Sequence, residues 1–202
     1  MAFVPLIIFK DFLSPFHFGK IMVFRAWIEI LAVFYLFLIF RDKSYLPKRN
    51  HIFWSISLFT VVFGITSLFS VNIYQSVMGT LERMGGWFSF VHYWIFFVIM
   101  ISVLRTREEW LMILKLSVIS SLVSTIYGFL QKFDCNGAIT GIRKSLCETI
   151  VGGGDRTRIF GTLGNAALFA GYTLVNLFIA AALLFVPKPT KSRTLPLIIL
   201  AG

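Results

Sequence analysis

The chain has 202 residues, of which 57% are hydrophobic, 14% are charged and 23 are phenylalanine. A soluble domain carries about 25% charged residues, so this composition excludes a soluble globular domain and is typical of a protein that crosses a membrane several times. The net charge of +10 would also suit nucleic acid, but no basic patch interleaved with aromatic residues is present, and we expect no nucleic-acid partner.

Five windows are long and apolar enough to cross a bilayer, which takes roughly 18 apolar residues. In chain order they cover residues 21–40, 52–71, 87–104, 111–130 and 166–186. All five are predicted to be helices, because an unpaired strand in lipid would leave its backbone groups unsatisfied. A further apolar run begins at 195 and stops at 202, so we expect a sixth helix that is cut short and a chain that is an N-terminal fragment. The predicted fold is one all-α transmembrane domain over 1–202, a polytopic helical bundle.

Basic residues predict the direction of these helices. They are concentrated after the first, third and fifth windows, at Arg41 to Arg49, Arg105 to Lys115 and Lys188 to Arg193. An excess of Lys and Arg marks the cytoplasmic loops of membrane proteins. The opposite, outer face then holds residues 1–20 and the loops 72–86 and 131–165.

The two cysteines, Cys135 and Cys147, both lie in the long outer loop. A disulfide between them is expected if that face is oxidising, with two free thiols as the alternative. Two cysteines without a nearby histidine do not predict a zinc site. No metal or cofactor is expected, because the sequence contains no metal motif, Walker loop or dinucleotide fingerprint.

Three ionisable residues lie in the outer halves of the predicted spans, and Lys115 lies in a cytoplasmic half. Arg25 and Glu29 are four residues apart and share one helix face. A rise of 1.5 Å per residue places Glu29 about 12 Å in from Ile21 and His92 about 7 Å in from Trp87. Ionisable groups at such depths are costly and usually mark function. The alternatives are that Arg25 extends outward while Glu29 pairs with it, and that His92 makes a structural hydrogen bond to a neighbouring helix.

The outer face also carries the N-termini of the first, third and fifth spans. Helix N-termini have a partial positive charge and unpaired amides, and arginine side chains beside them suit a phosphate group. The predicted ligand is an anionic head group in the outer leaflet, such as a lipid-linked pyrophosphate. Helix packing is the alternative for Gly164, Ala167 and Gly171, because small residues let helices approach closely. The predicted substrate-binding residues are Arg158, Arg156, Arg83, Arg25, Glu29, Glu82, His92, Gly161, Gly164 and Asn165.

Three stretches resemble the N-terminal half of bacterial O-antigen ligase family proteins, a superfamily that includes O-antigen polymerases and O-oligosaccharyltransferases. They are PFHFGKIMVFRAWIEI at 15–30, LERMGGWFSFVHYW at 81–94 and RIFGTLGNAALFAGY at 158–172. The third is similar to the family's Arg-x-x-Gly-Thr-Phe-Gly-Asn-Pro-Asn followed by a Leu-Ala-Gly-Tyr run. It differs in having Leu163 for the phenylalanine, and Ala166 and Ala167 for Pro-Asn.

The resemblance implies a metal-independent glycosyltransferase of the bacterial inner membrane that takes part in lipopolysaccharide biosynthesis. Such an enzyme moves a glycan from undecaprenyl pyrophosphate to lipid A core or a similar glycolipid or protein acceptor. The outer arginines would bind the pyrophosphate, and the catalytic base would lie beyond Gly202. The alternatives are a polymerase or protein glycosyltransferase of the same superfamily, and a transporter or flippase in which Arg25, Glu29 and His92 line a pathway. These groups stop in the outer half of the spans, which favours a one-sided enzyme.

Overall fold

The structure is a computed structural model that describes residues 1–9, 16–80, 83–134 and 159–186. These residues form helices, turns and loops, without any strand among them, so the all-α prediction is confirmed. The helices in chain order are α1 Phe18–Arg41, α2 His51–Leu68, α3 Ile73–Met78, α4 Trp87–Val103, α5 Arg107–Asp134 and α6 Ala166–Leu184. Short 3₁₀ turns occur at Val4–Leu6, Lys43–Tyr45 and Gly161–Leu163.

The chain is a multi-pass membrane protein. The helices α1, α2, α5 and α6 are each long and apolar enough to cross a membrane, and α4 is a shorter apolar helix of 17 residues. Their large apolar side chains are mostly exposed, among them Phe34, Phe37, Leu177 and Phe178. Side chains of this kind on the outside of a helix suit contact with lipid rather than with water.

Each predicted window corresponds to a helix, and the differences lie at the ends. The loop predicted at 72–86 contains the short helix α3, whose first turn is capped by the Asn72 side chain accepting from the Gln75 amide at 3.1 Å. The helix α5 continues to Asp134, four residues into the loop predicted at 131–165. The predicted helix start at 195–202 lies outside the described residues.

The chain divides into two compact units. Unit 1 contains His17–Trp110 and therefore α1 to α4. Unit 2 contains Ala2–Phe16 and Leu111–Pro187, and therefore most of α5 and all of α6.

Within unit 1, α1 and α4 run in the same direction. Arg25 contacts Ser89 near the start of both helices, and the Tyr35 hydroxyl donates to the Ser102 hydroxyl at 2.8 Å near the end of α4. The first and third predicted spans are expected to be parallel, because the one span between them crosses the membrane in the opposite direction. The helix α2, which connects them in sequence, therefore returns in the opposite direction.

Tryptophan side chains of α4 fix its contact with α2. The indole N–H of Trp87 donates to the Thr60 carbonyl at 2.9 Å, and that of Trp94 donates to the Ser57 hydroxyl at 2.9 Å. The Trp87 ring lies directly against Gly64, where an added Cβ would be 2.7 Å from the ring. Gly64 therefore allows the two helices to approach at the level of this indole.

Within unit 2, α5 and α6 are antiparallel and joined by neutral polar side chains. Ser117 donates to the Asn176 side-chain oxygen at 2.8 Å, and the Tyr172 hydroxyl donates to the Ser120 hydroxyl at 3.2 Å. Polar contacts of this kind hold helices together in a bilayer, where apolar contact with lipid competes equally with contact between helices.

Candidate functional site

A groove of about 440 Å³ lies in unit 1 beside the end of α2, the helix α3 and the loop before α4. Its lining consists mainly of hydroxyl groups and glycine backbone, together with one side-chain amide. Arg83 is the ionisable residue among the described lining residues. Arg83 itself is exposed. The lining residues are Phe63, Thr66, Ser67, Ser70, Gln75, Ser76, Gly79, Thr80, Arg83, Gly85 and Gly86.

The loop that carries Arg83 closes on itself at two glycines, Gly79 and Gly86. Gly79 has a φ of +84°, and an added Cβ there would lie 2.5 Å from the Gly85 nitrogen. A Cβ on Gly86 would in turn collide with the Gly79 nitrogen and the Val77 carbonyl. Only glycine fits at this crossing, so the crossing brings the end of α3 against the start of α4 and sets the shape of the groove.

Arg25 is buried behind this loop, with 7% of its surface exposed. Its Nη2 atom donates to the Ser89 hydroxyl at 2.7 Å and to the Met84 carbonyl at 3.2 Å, and its guanidinium carbon lies 4.8 Å from the centre of the Phe88 ring. The Nε atom is buried and has no hydrogen-bond partner among the described residues. Arg25 therefore does not extend outward to solvent, as one of the sequence alternatives had it.

Glu29 contacts His92 rather than Arg25. The His92 Nε2 atom lies 3.3 Å from a Glu29 carboxylate oxygen, and its Nδ1 atom lies 2.8 Å from the Phe88 carbonyl. The His92 side chain is 5% exposed and that of Glu29 is 65% exposed. The hydrogen bond between His92 and a neighbouring helix, which the sequence left as an alternative, is present.

Positive charge gathers at the N-terminal end of α1, close to the groove. His17 is half-buried, and its pKa is lowered from the usual 6.5 by burial first and then by the charges of Lys20 and Arg83. The Lys20 side chain is itself buried. His17 therefore lies near both cations, and the positive charge at this end of α1 favours an anion.

The turn that resembles the family most closely lies in unit 2 and is packed tightly. Gly161 and Gly164 have φ values of +53° and +72°. An added Cβ on Gly161 would lie 2.5 Å from the Phe169 ring, and one on Gly164 would collide with Phe16. These glycines therefore make room for aromatic side chains of the protein, and the ligand contact predicted for them stays a prediction.

The polar groups of the same turn also have partners within unit 2. The Asn165 side chain accepts from the Ala167 amide at 2.8 Å and from the Leu168 amide at 3.4 Å, which caps α6. The Gly161 amide donates to the Gln131 side chain at 3.1 Å. These amides were part of the predicted phosphate site, and here the protein satisfies them itself.

The close helix contact proposed as the alternative at Gly171 is absent from the described part of the chain. A Cβ on Gly171 would meet nothing within 4 Å, and both Ala167 and Gly171 are exposed. The physical reason is that α6 faces α5 through Tyr172 and Asn176, which place this pair of small residues on another side of the helix.

Five predicted residues lie outside the described residues, and their arrangement is therefore not part of the site described above. They are Glu82, Arg156, Arg158, Cys135 and Cys147. Of the predicted binding residues, the structure brings Arg25, Glu29, His92 and Arg83 into unit 1, whereas Gly161, Gly164 and Asn165 belong to unit 2.

The sequence did not predict the hydroxyl-lined groove or the row of polar side chains on α5. This polar row had a signal in the sequence, because Ser117, Ser120, Ser124 and Gln131 recur at spacings of three, four and seven and so share one face of α5. The groove had only a weak one, since its hydroxyl groups come from two helices and a loop.

No group of three or more His, Cys, Asp or Glu side chains that could hold a metal ion occurs in the described ranges. Comparison of the chain with protein-family models, with curated proteins and with solved structures finds no match. A functional interpretation therefore depends on the chemistry of the groove and on the motifs of the sequence.

Proposed function

We propose that the chain belongs to an O-antigen-ligase-like glycosyltransferase of the bacterial inner membrane, which takes its glycan from undecaprenyl pyrophosphate. One observation carries the proposal. An exposed arginine, Arg83, lines a groove with hydroxyl groups and glycine backbone, at the end of unit 1 that the basic loops assign to the outer face.

The chemistry of the groove suits a pyrophosphate ester. The arginine fork can bind two phosphate oxygens at once. Gly86 precedes α4 as its N-cap residue and provides no side-chain cap, which leaves the helix N-terminus to favour negative charge. A volume of about 440 Å³ is within the range of small-molecule sites, about 300–1,000 Å³. Hydroxyl side chains such as Thr66 and Ser76 offer further polar contacts to a sugar.

In this proposal the described residues bind and orient the donor lipid and do not perform the transfer. The resemblance places the general base in a part of the family's sequence beyond Gly202. The acceptor would be lipid A core or a similar glycolipid or protein. A polymerase or protein glycosyltransferase of the same superfamily would use the same donor, so the groove chemistry serves either enzyme.

The test is the affinity of an undecaprenyl pyrophosphate analogue for the protein in lipid nanodiscs. A charge-assisted hydrogen bond contributes about 1.5–3 kcal/mol, so Arg83→Ala should weaken binding about ten- to a hundredfold. Arg83→Lys should be intermediate, because it keeps the charge and loses the fork. Arg49→Ala, an exposed cation in the loop between α1 and α2, is the matched control and should bind as the wild type does. Equal affinity in all four proteins would contradict the proposal.

A further inference from the structure

The loop before α4 contains a residue in an unfavourable backbone conformation. Met84 has a φ of +44°, the one positive value found for a non-glycine residue in the described chain. For a residue with a long side chain this region is sparsely populated and costs free energy. Such a residue keeps its conformation only where its surroundings hold it.

Both backbone polar groups of Met84 are held. Its amide donates to the Thr80 carbonyl at 2.7 Å, which closes the turn. Its carbonyl accepts from Arg25 Nη2 at 3.2 Å and from the Ser89 hydroxyl. Arg25 also donates to the Ser89 hydroxyl at 2.7 Å. One guanidinium from α1 therefore holds both the Met84 carbonyl and the hydroxyl group that donates to it.

A buried cation is an expensive way to join two membrane helices. The other end of the same pair is joined by neutral groups, since Tyr35 donates to Ser102 at 2.8 Å. Arg25 instead places its charge at 7% exposure against an alcohol, a carbonyl and the face of Phe88. The feature that distinguishes this end is the loop that carries Arg83, directly before Met84.

We propose that Arg25 is a positioning residue for the groove. By holding the Met84 carbonyl, it fixes the backbone next to Arg83 and so sets the direction of the Arg83 side chain. Its consequence for ligand binding rests on the proposed function, whereas its consequence for the loop does not. Arg25 acts from behind the loop, through Met84 and Ser89, and does not touch the ligand.

The first experiment measures amide hydrogen exchange of the ligand-free protein in nanodiscs. Arg25→Met should speed exchange in peptides that span residues 79–89 by about tenfold or more, the loss expected for one charge-assisted hydrogen bond. Ser89→Ala, a small change that keeps the guanidinium, should produce a weaker effect in the same peptides. Tyr35→Phe removes a hydrogen bond from the other end of the same helix pair and should leave these peptides unchanged.

A uniform increase across α1 and α4, or no change at 79–89, would overturn the inference. If Arg25→Met does not fold, Arg25→Lys decides, because it keeps a positive charge and loses the planar guanidinium. Faster exchange confined to residues 79–89 then supports the proposal, and its absence contradicts it.

The second experiment is a double-mutant cycle with inorganic pyrophosphate as the probe. Arg25→Met should weaken binding when Arg83 is present and have no further effect in the Arg83→Ala protein, because its action passes through Arg83. Additive losses would mean that Arg25 does not act through Arg83 and would overturn the inference. If the wild type binds no pyrophosphate, the proposed function is contradicted, and hydrogen exchange alone decides the role of Arg25.

Discussion

The two units differ in whether ionisable side chains take part in the contacts between their helices. In unit 1, α1 and α4 bring together Arg25, Glu29 and His92. In unit 2, α5 and α6 meet through hydroxyl and amide groups, such as Ser117, whose hydroxyl donates to the Asn176 side-chain oxygen at 2.8 Å. Both sets of contacts lie in apolar helices.

The neutral contacts of unit 2 are sufficient to set how two helices pair, whereas the contacts of Arg25 in unit 1 also serve another purpose. A neutral hydrogen bond between membrane helices contributes about 0.6 kcal/mol on average, and it satisfies both of its partners. A charged group costs about 2.5–3.5 kcal/mol or more at the centre of a bilayer. Unit 2 shows that this kind of sequence can pair helices without charge, so the charge of Arg25 is better explained by the loop that it holds beside the groove.

The largest effect is expected at Gly164 in unit 2. Gly164→Ala places a Cβ against Phe16 at a φ of +72°, and the combined strain and overpacking should lower the free energy of unfolding by about 2–5 kcal/mol. The measurement is thermal unfolding in detergent. Gly171→Ala is the matched control, because nothing lies within 4 Å of its added Cβ. Equal unfolding temperatures for the two variants would show that the turn is not packed in this way.

A smaller effect is expected when the neutral hydrogen bonds between α5 and α6 are removed. Asn176 accepts from Ser117 and donates to the Tyr172 carbonyl at 2.9 Å. Asn176→Leu should lower the free energy of unfolding by about 0.6–1.7 kcal/mol, as followed by denaturant unfolding in mixed micelles. An increase in stability would indicate that these polar contacts serve some purpose other than helix pairing, and would weaken the contrast with unit 1.

The sequence predicts the spans well because crossing a bilayer demands a long apolar run, which is a local property. It predicts contacts poorly because they are not local. Arg25 and Glu29 are suitably spaced to pair, yet side chains on a helix lean toward its N-terminus, and Arg25 contacts Met84 and Ser89 while Glu29 meets His92.

The two glycine turns show the same limit. A left-handed conformation at Gly164 is a reasonable expectation from sequence, but the aromatic ring that fills the space beside it comes from Phe16, at the far end of the chain. The crossing of Gly79 and Gly86 likewise depends on α3, which at six residues is too short to show a helical period.

The smallest effect concerns His17 and the charge near the groove. Its pKa is lowered in the folded protein by burial and by Lys20 and Arg83, so the unfolded chain takes up a proton first as the pH falls through 6.5. Stability should therefore decrease between about pH 7.5 and 5.5, and His17→Asn should make this decrease shallower. The measurement is the unfolding temperature of both proteins at the two pH values. An equal decrease in both would show that His17 does not sense this field.

The most direct test of the central claim is chemical labelling of the groove in intact cells. Ser76, which lines the groove, is changed to Cys in a chain whose Cys135 and Cys147 are replaced, and Ser44→Cys in the loop after α1 is the control. We expect a membrane-impermeant thiol reagent to label position 76 and not position 44, and an added undecaprenyl pyrophosphate analogue to slow labelling at 76. Labelling at 44 alone, or labelling at 76 that the lipid leaves unchanged, would contradict an outer groove that binds the donor.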